Sequence, residues 1–157
     1  MNLIAEPQSM AIAEQKRVYL QRVNQLYQNI QDWLKNDDLV CTQSEVEIAE
    51  TLGEYVVPTL AIQTVAGEDL AALKPVGADV LLAEGMIEVT GWLDHNYVLY
   101  LLAGGPTFLD PAGIKHPYYK GIGEEGWYWI NRLNTHALRL NKPSLLQLIT
   151  WVSDHEF

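Results

Sequence analysis

Residues 44–65 read "SEVEIAETLGEYVVPTLAIQTV", and the period of this stretch decides the fold. Val46, Ile48 and Glu50 alternate with Glu45, Glu47 and Ala49, the step of two that a half-buried strand needs. "EYVVPTLAIQTV" continues in β-branched and apolar residues. Pro58 cannot donate to a sheet ladder, so it marks a bulge, an edge or a strand start.

Upstream the period is helical. Leu20, Val23, Tyr27, Ile30 and Leu34 fall at steps of three and four, one stripe of a helix over about residues 9–35. Ser9 is a plausible N-cap, and "KNDD" at 35–38 reads as the stop. Downstream, "AGED" and "LKPVG" read as turns. "MIEVTGWL" and "NYVLYLLA" read as strands joined at Asp94-His95-Asn96, and "GWYWINRL" as the last strand. Pro143 suits a first helical turn, and Leu145, Leu148, Ile149 and Val152 then repeat with helical spacing over about 143–155. The pattern predicts one α+β domain over 1–157. An antiparallel meander of about four to six strands occupies about 40–134, with both helices packed on one face. The outward positions Glu45, Glu47 and Glu88 then share the second face, if the register holds.

A chain of 157 residues, 48% hydrophobic and 19% charged, has enough apolar material for a folded core. Its lone cysteine, Cys41, excludes an internal disulfide and suits a reducing cytoplasm. The first residues lack an apolar h-region, and the run around "NYVLYLLAGG" is too short to cross a bilayer, so a soluble, cytoplasmic protein without membrane partners is expected. Net charge is −10. Asp37 to Asp94 hold twelve acidic residues and one basic residue, Lys74, whereas acids and bases balance from Leu101 onward. Such a field repels phosphate backbones, which argues against nucleic acid and for a basic protein partner.

"HPYYKGIGEEGWYWI" (116–130) holds a G-x-G-x-x-G spacing at Gly121, Gly123 and Gly126. It precedes a strand-like run rather than a helix and brings Glu124 and Glu125 beside any phosphate, so it reads as a turn. Trp127 and Trp129 share one side of that strand, Tyr128 and Ile130 the other. Core packing explains them. The competing reading is a groove in which Trp127 and Trp129 form an aromatic wall with His116, Tyr118 and Tyr119, suited to a sugar, a peptide or a protein anchor.

The histidines, His95, His116, His136 and His155, form no ligand-spaced pair, so neither metal nor cofactor is expected. No serine lies in a G-x-S-x-G elbow, and Cys41 reads as a small buried hydrophobe, with a Cys41–His116 pair as the other option. Asp110, Glu124 and Glu125 flank the aromatic run as solvated turn acids or as acid–base candidates.

One stretch resembles a pattern in small bacterial proteins of unassigned activity: P-x-L-x-I, then L-x-P-x-G, then G-x-I-[DE]-V-x-G. The matching residues are Pro58, Leu60 and Ile62, then Leu73, Pro75 and Gly77, then Gly85, Ile87, Glu88, Val89 and Gly91. The resemblance covers about a quarter of the chain and implies a fold rather than a chemistry. Three functions follow from these residues. The first is an interaction module, immunity- or antitoxin-like, that takes a basic partner on Glu45, Glu47 and Glu88. The second is a small-ligand, peptide or sugar binder built on 116–130, and the third a hydrolase without a recognisable motif. Exposed parts of the aromatic surface could also pair two copies.

Overall fold

Helix α1 (Ala5–Leu34) begins four residues earlier than its apolar stripe predicts, so Ser9 lies inside the helix rather than at its cap. The structure is a computed structural model and describes residues 5–131 and 135–157. After α1 come β1 (Leu39–Glu50), β2 (Gly53–Thr64), β3 (Asp69–Gly77), β4 (Gly85–Thr90), β5 (His95–Leu101), β6 (Thr107–Leu109), β7 (Lys115–Pro117), β8 (Gly126–Asn131), β9 (His136–Arg139) and α2 (Lys142–Ser153). Seven strands form one antiparallel sheet, in the order β1-β2-β3-β4-β5-β8-β9. β6 and β7 form a separate hairpin. The class is the α+β meander expected, with a larger sheet.

Both helices pack on one sheet face. Tyr19, Val23, Leu26, Tyr27, Ile30 and Leu34 of α1 and Leu145, Leu148, Ile149 and Val152 of α2 join Leu60, Ile62, Leu73, Ile87, Val89, Val98, Trp127 and Trp129 in the main core. The α1 stripe thus starts at Tyr19 rather than at Leu20, which is only half-buried. Asn141 caps α2: its side chain accepts from the Ser144 N–H, and the Ser144 hydroxyl accepts from the Asn141 N–H. A smaller cluster, Leu99, Leu101, Tyr128 and Ala137 with Met86, Tyr119 and Ile122, lies on the other face, beneath the excursion between β5 and β8. That excursion is why β8 buries large residues on both sides although it neighbours the edge strand β9.

Three expected boundaries move. "LKPVG" is the second half of β3, not a turn. The β4–β5 connection is Gly91–Asp94, one turn earlier than Asp94-His95-Asn96. It receives the end of α2: Leu93 and Asp94 donate N–H bonds to the Val152 carbonyl at 3.0 and 3.2 Å. A Cβ on Gly91 would lie 2.2 Å from that oxygen, so only glycine fits. Of the expected last strand, Arg132 and Leu133 lie outside the described residues, and β9, β6 and β7 come from segments read as loops.

Prolines open the sheet. β2 and β3 pair only from Leu60↔Leu73 towards Gln63↔Asp69. Pro58 and Pro75 sit just beyond, where the two strands part, so neither ring deletes a bond from that ladder. The Tyr27 hydroxyl enters the split and donates to the carbonyls of Pro58 at 2.9 Å and Leu73 at 3.4 Å. Further along, the Glu50 carboxylate closes the gap. It accepts from the Ala78 N–H at 2.9 Å, the Asp79 N–H at 3.0 Å and the Tyr55 hydroxyl.

Candidate functional site

Alternation along the β1–β2 hairpin places its acids. The less exposed positions are odd-numbered at Leu39 and Cys41 but even-numbered at Val46 and Ile48; in β2 they pass from Tyr55 and Val57 to Leu60 and Ile62. Both strands turn over around the Glu45↔Pro58 pair without losing register. Glu45 and Glu47 are exposed on the outer face, and Glu54 lies diagonally from Glu47 across the Glu47↔Val56 pair. These three form one acidic end of the hairpin.

Glu88 is set apart from them. It is half-buried on β4, directly opposite Lys74 on β3, and accepts from the Tyr97 hydroxyl at 3.3 Å and the Thr90 hydroxyl at 3.3 Å. β1 and β4 are three strand spacings apart, about 14 Å. Five other acids of the strand-rich middle join neither group. Asp37, Asp38, Glu68 and Asp69 gather at the opposite end of the hairpin, where Val65 donates to the Asp38 carbonyl and Lys142 pairs with Asp37 at 2.8 Å. Seven strand residues, about 23 Å, separate Asp38 from Glu45. Glu50 is turned into the β2–β3 split. The single acidic face inferred from composition is therefore two acidic ends with Lys74 and Glu88 between them.

β1 is an edge of the sheet, twelve residues long, with β2 on one side. Among the described residues no strand pairs with its other side. It carries no proline and no lysine, two of the devices that blunt an edge. The outer face beside it is small and polar: Thr42, Ala61, Ala72 and Thr90 are in register across β1 to β4.

The aromatic residues of 116–130 do not converge on one groove. Trp127 and Trp129 are on the helix-covered face, 7% and 8% exposed. Tyr119 packs into the small cluster on the opposite face, where burial pushes its phenol pKa up. His116 and Tyr118 belong to the β6–β7 arm, where Phe108 stacks on His116 at 5.4 Å and meets Tyr118 edge-on at 5.3 Å. Asp110 closes that arm. One carboxylate oxygen accepts from the Ala112 and Ile114 N–H groups at 2.9 and 2.8 Å, and the other meets His116 Nε2 at 2.7 Å. The His116 bond, followed by the Ile114 N–H, holds the Asp110 carboxyl below its ordinary range. This pair was not visible in the sequence; a D-x-x-G turn six residues before a histidine is the only signal it leaves.

A concave site does form, on the helix side. It is a groove of about 690 Å³ between α1 and the β5–β8–β9 end of the sheet. Of the predicted aromatics only Trp127 lines it, joined by Arg22, Trp33, Tyr100, Glu125 and Arg139. Glu125 is thus drawn to the helix side and away from Asp110. Cys41 lies against the helix-side core, where burial raises its thiol pKa, and His116 is in the arm, so the two are not brought together. "GIGEEG" is a turn: Gly121 has φ 88° and Gly126 opens β8. Among the described residues no three His, Cys, Asp or Glu side chains converge as a metal site requires, and no helix is long and apolar enough to cross a membrane. No family model, no curated protein and no solved structure matches this chain.

Proposed function

We propose that this chain is a protein-interaction module of the bacterial cytoplasm, immunity- or antitoxin-like, that takes a basic partner along the β1 edge. The observation that carries this reading is a twelve-residue edge strand, open on one side, with Glu45 and Glu47 exposed along it and Glu54 beside them. An unpaired edge offers main-chain N–H and C=O groups to an extended segment, and alternate side chains then choose the partner. Glutamates at every second position select lysine or arginine at matching spacing. Glu88 contributes less than composition suggested, because Lys74 faces it. A second copy of the chain is disfavoured at this edge by the net charge of −10 and by the same glutamates. Phosphate backbones are repelled for the same reason.

The test uses a fluorescein-labelled decapeptide of alternating lysine and valine, followed by anisotropy and by amide exchange. Binding is expected to weaken steeply with salt and to protect β1 amides. Glu45→Lys with Glu47→Lys should weaken it about tenfold, while Glu68→Lys at the far end changes it little. Equal losses from both reversals, or protection elsewhere than on β1, would refute the assignment.

A further inference from the structure

The groove between α1 and the β5–β8–β9 end of the sheet differs in character from the rest of the chain. Two of the protein's four arginines, Arg22 and Arg139, line it against one carboxylate, Glu125, so a groove of about 690 Å³ carries a net positive charge on a molecule of net charge −10. That volume is the size of a metabolite pocket.

The guanidinium of Arg22 is held in place without being consumed. It lies over the Tyr100 ring at 4.1 Å, and its side chain is 25% exposed. The Trp127 indole N–H anchors the helix beneath it by donating to the Arg22 carbonyl at 3.3 Å, and Trp127 meets Tyr100 edge-on at 5.3 Å. Glu125 stops 4.0 Å from Arg22 Nη2, beyond hydrogen-bond range, because the Tyr100 hydroxyl holds its carboxylate at 2.8 Å. The Arg139 guanidinium rests against Gly126, where a Cβ would come within 2.9 Å of it; it lies 5.9 Å from the centroid of the Tyr128 ring, its register partner, and its Nη1 makes a long 3.4 Å bond to the Glu124 carbonyl. The Arg22 fork therefore borders an aromatic-walled groove that Arg139 also lines, and the one carboxylate lining it, 4.0 Å from Arg22, is hydrogen-bonded to Tyr100 instead.

We propose that this groove binds a small ligand carrying one carboxylate and an apolar or aromatic body. The carboxylate lies on Arg22 with Arg139 behind it, and the body lies along Trp127 and Trp33. A guanidinium fork matches a carboxylate in two parallel hydrogen bonds. One anionic group balances the groove's net charge, and indole and phenol walls take an apolar body. This inference does not rest on the β1 edge, which lies at the other margin of the sheet.

The probe is 3-phenylpropionate, compared with its neutral amide, 3-phenylpropionamide, by isothermal titration on the full chain. The acid is expected to saturate one site and to bind at least about tenfold more tightly than the amide, the factor that a charge-assisted hydrogen bond supplies. Arg22→Gln should remove that preference while leaving the amide's affinity unchanged, and Glu125→Gln should tighten the acid two- to threefold, about what one partly screened carboxylate costs. Arg139→Gln, at an exposed position on β9, gives a second reading if Arg22→Gln folds poorly. Equal affinity for acid and amide, no saturable binding of either, or an acid preference that survives both arginine variants would overturn the proposal.

Discussion

Glu50→Ala tests how the split between β2 and β3 is held closed. The carboxylate serves the Ala78 N–H, the Asp79 N–H and the Tyr55 hydroxyl. Ala78 is 2% exposed, so its N–H loses a charged acceptor and gains no water, a cost of about 1–3 kcal/mol. Asp79 is exposed, and solvent replaces most of its bond. Tyr55 is half-buried and recovers part of its loss. The sum is about 3 kcal/mol. With an m-value of about 2 kcal/mol/M, the urea midpoint falls by about 1.5 M. The melting temperature falls by about 6–12 °C. A cycle with Gly77→Ala isolates the cause. A Cβ there would lie 2.8 Å from Glu50 Oε1, so alone it displaces the carboxylate, but in the Glu50→Ala background it meets nothing of the kind. The two losses should be less than additive by at least about 1 kcal/mol. Strict additivity, or a Glu50→Ala loss below about 0.5 kcal/mol, would refute the account.

The two core tryptophans of β8 should respond differently to Phe. The Trp129 indole N–H is buried without a partner, so Trp129→Phe removes an unpaired donor and should cost less than about 1 kcal/mol, whereas Trp127→Phe loses the bond to the Arg22 carbonyl and should cost about 2 kcal/mol; urea melts decide. Gly91→Ala should cost at least about 3 kcal/mol by the same measurement, because its Cβ meets the Val152 carbonyl, which is backbone and has no rotamer to yield. The β6–β7 arm should loosen in acid. Asp110 titrates below its unfolded value, so its contribution is whole above the ordinary carboxylate range and is lost as pH falls through the depressed value. The Ile114 amide resonance should report that step, and Asp110→Asn should abolish it.

Where a residue's period alone sets its place, the sequence was legible. The α1 stripe, the alternation of β1, the opposite sides of Trp127 and Tyr128, and the proline in the first turn of α2 follow from geometry that one element imposes on itself. What failed depended on a second element. "LKPVG" is strand because β2 has already parted from β3 at Pro75 and demands no N–H there. Period puts Glu50 on the Val46 and Ile48 side of its strand but says nothing of its partners, because the Ala78 and Asp79 amides arrive from the loop after β3. The supposed acidic face and the supposed aromatic groove failed alike. The hairpin turns over at Glu45↔Pro58, and the β5–β8 excursion carries Tyr119 to the face opposite Trp127 and His116 and Tyr118 into the β6–β7 arm. Arg22 and Arg139 are over a hundred residues apart, and nothing local relates them.

The parting of β2 and β3 also bears on why β1 would be the strand offered to a partner. Ladder bonds and apolar contacts tie the Leu60–Gln63 half of β2 into the sheet and, through Leu60 and Ile62, into the main core. Beyond Pro58 the hairpin is joined to the rest by the Tyr27 hydroxyl, the Glu50 carboxylate, the Lys16 ammonium over the Tyr55 ring and the packing of Ile48, Val57 and Tyr55. Polar anchors of this kind are exchanged for water at small net cost, so this half should open at a lower free energy than the global unfolding. Glu45 and Glu47 lie on it. An edge that yields slightly can match the twist of an incoming strand, whereas one locked by a dry core cannot. The order of amide exchange tests the point directly: β1 and β2 amides at 46–57 should exchange before those at 60–63, and Glu50→Ala should widen the gap. Uniform protection along both strands would mean that Pro58 interrupts the ladder without loosening the hairpin.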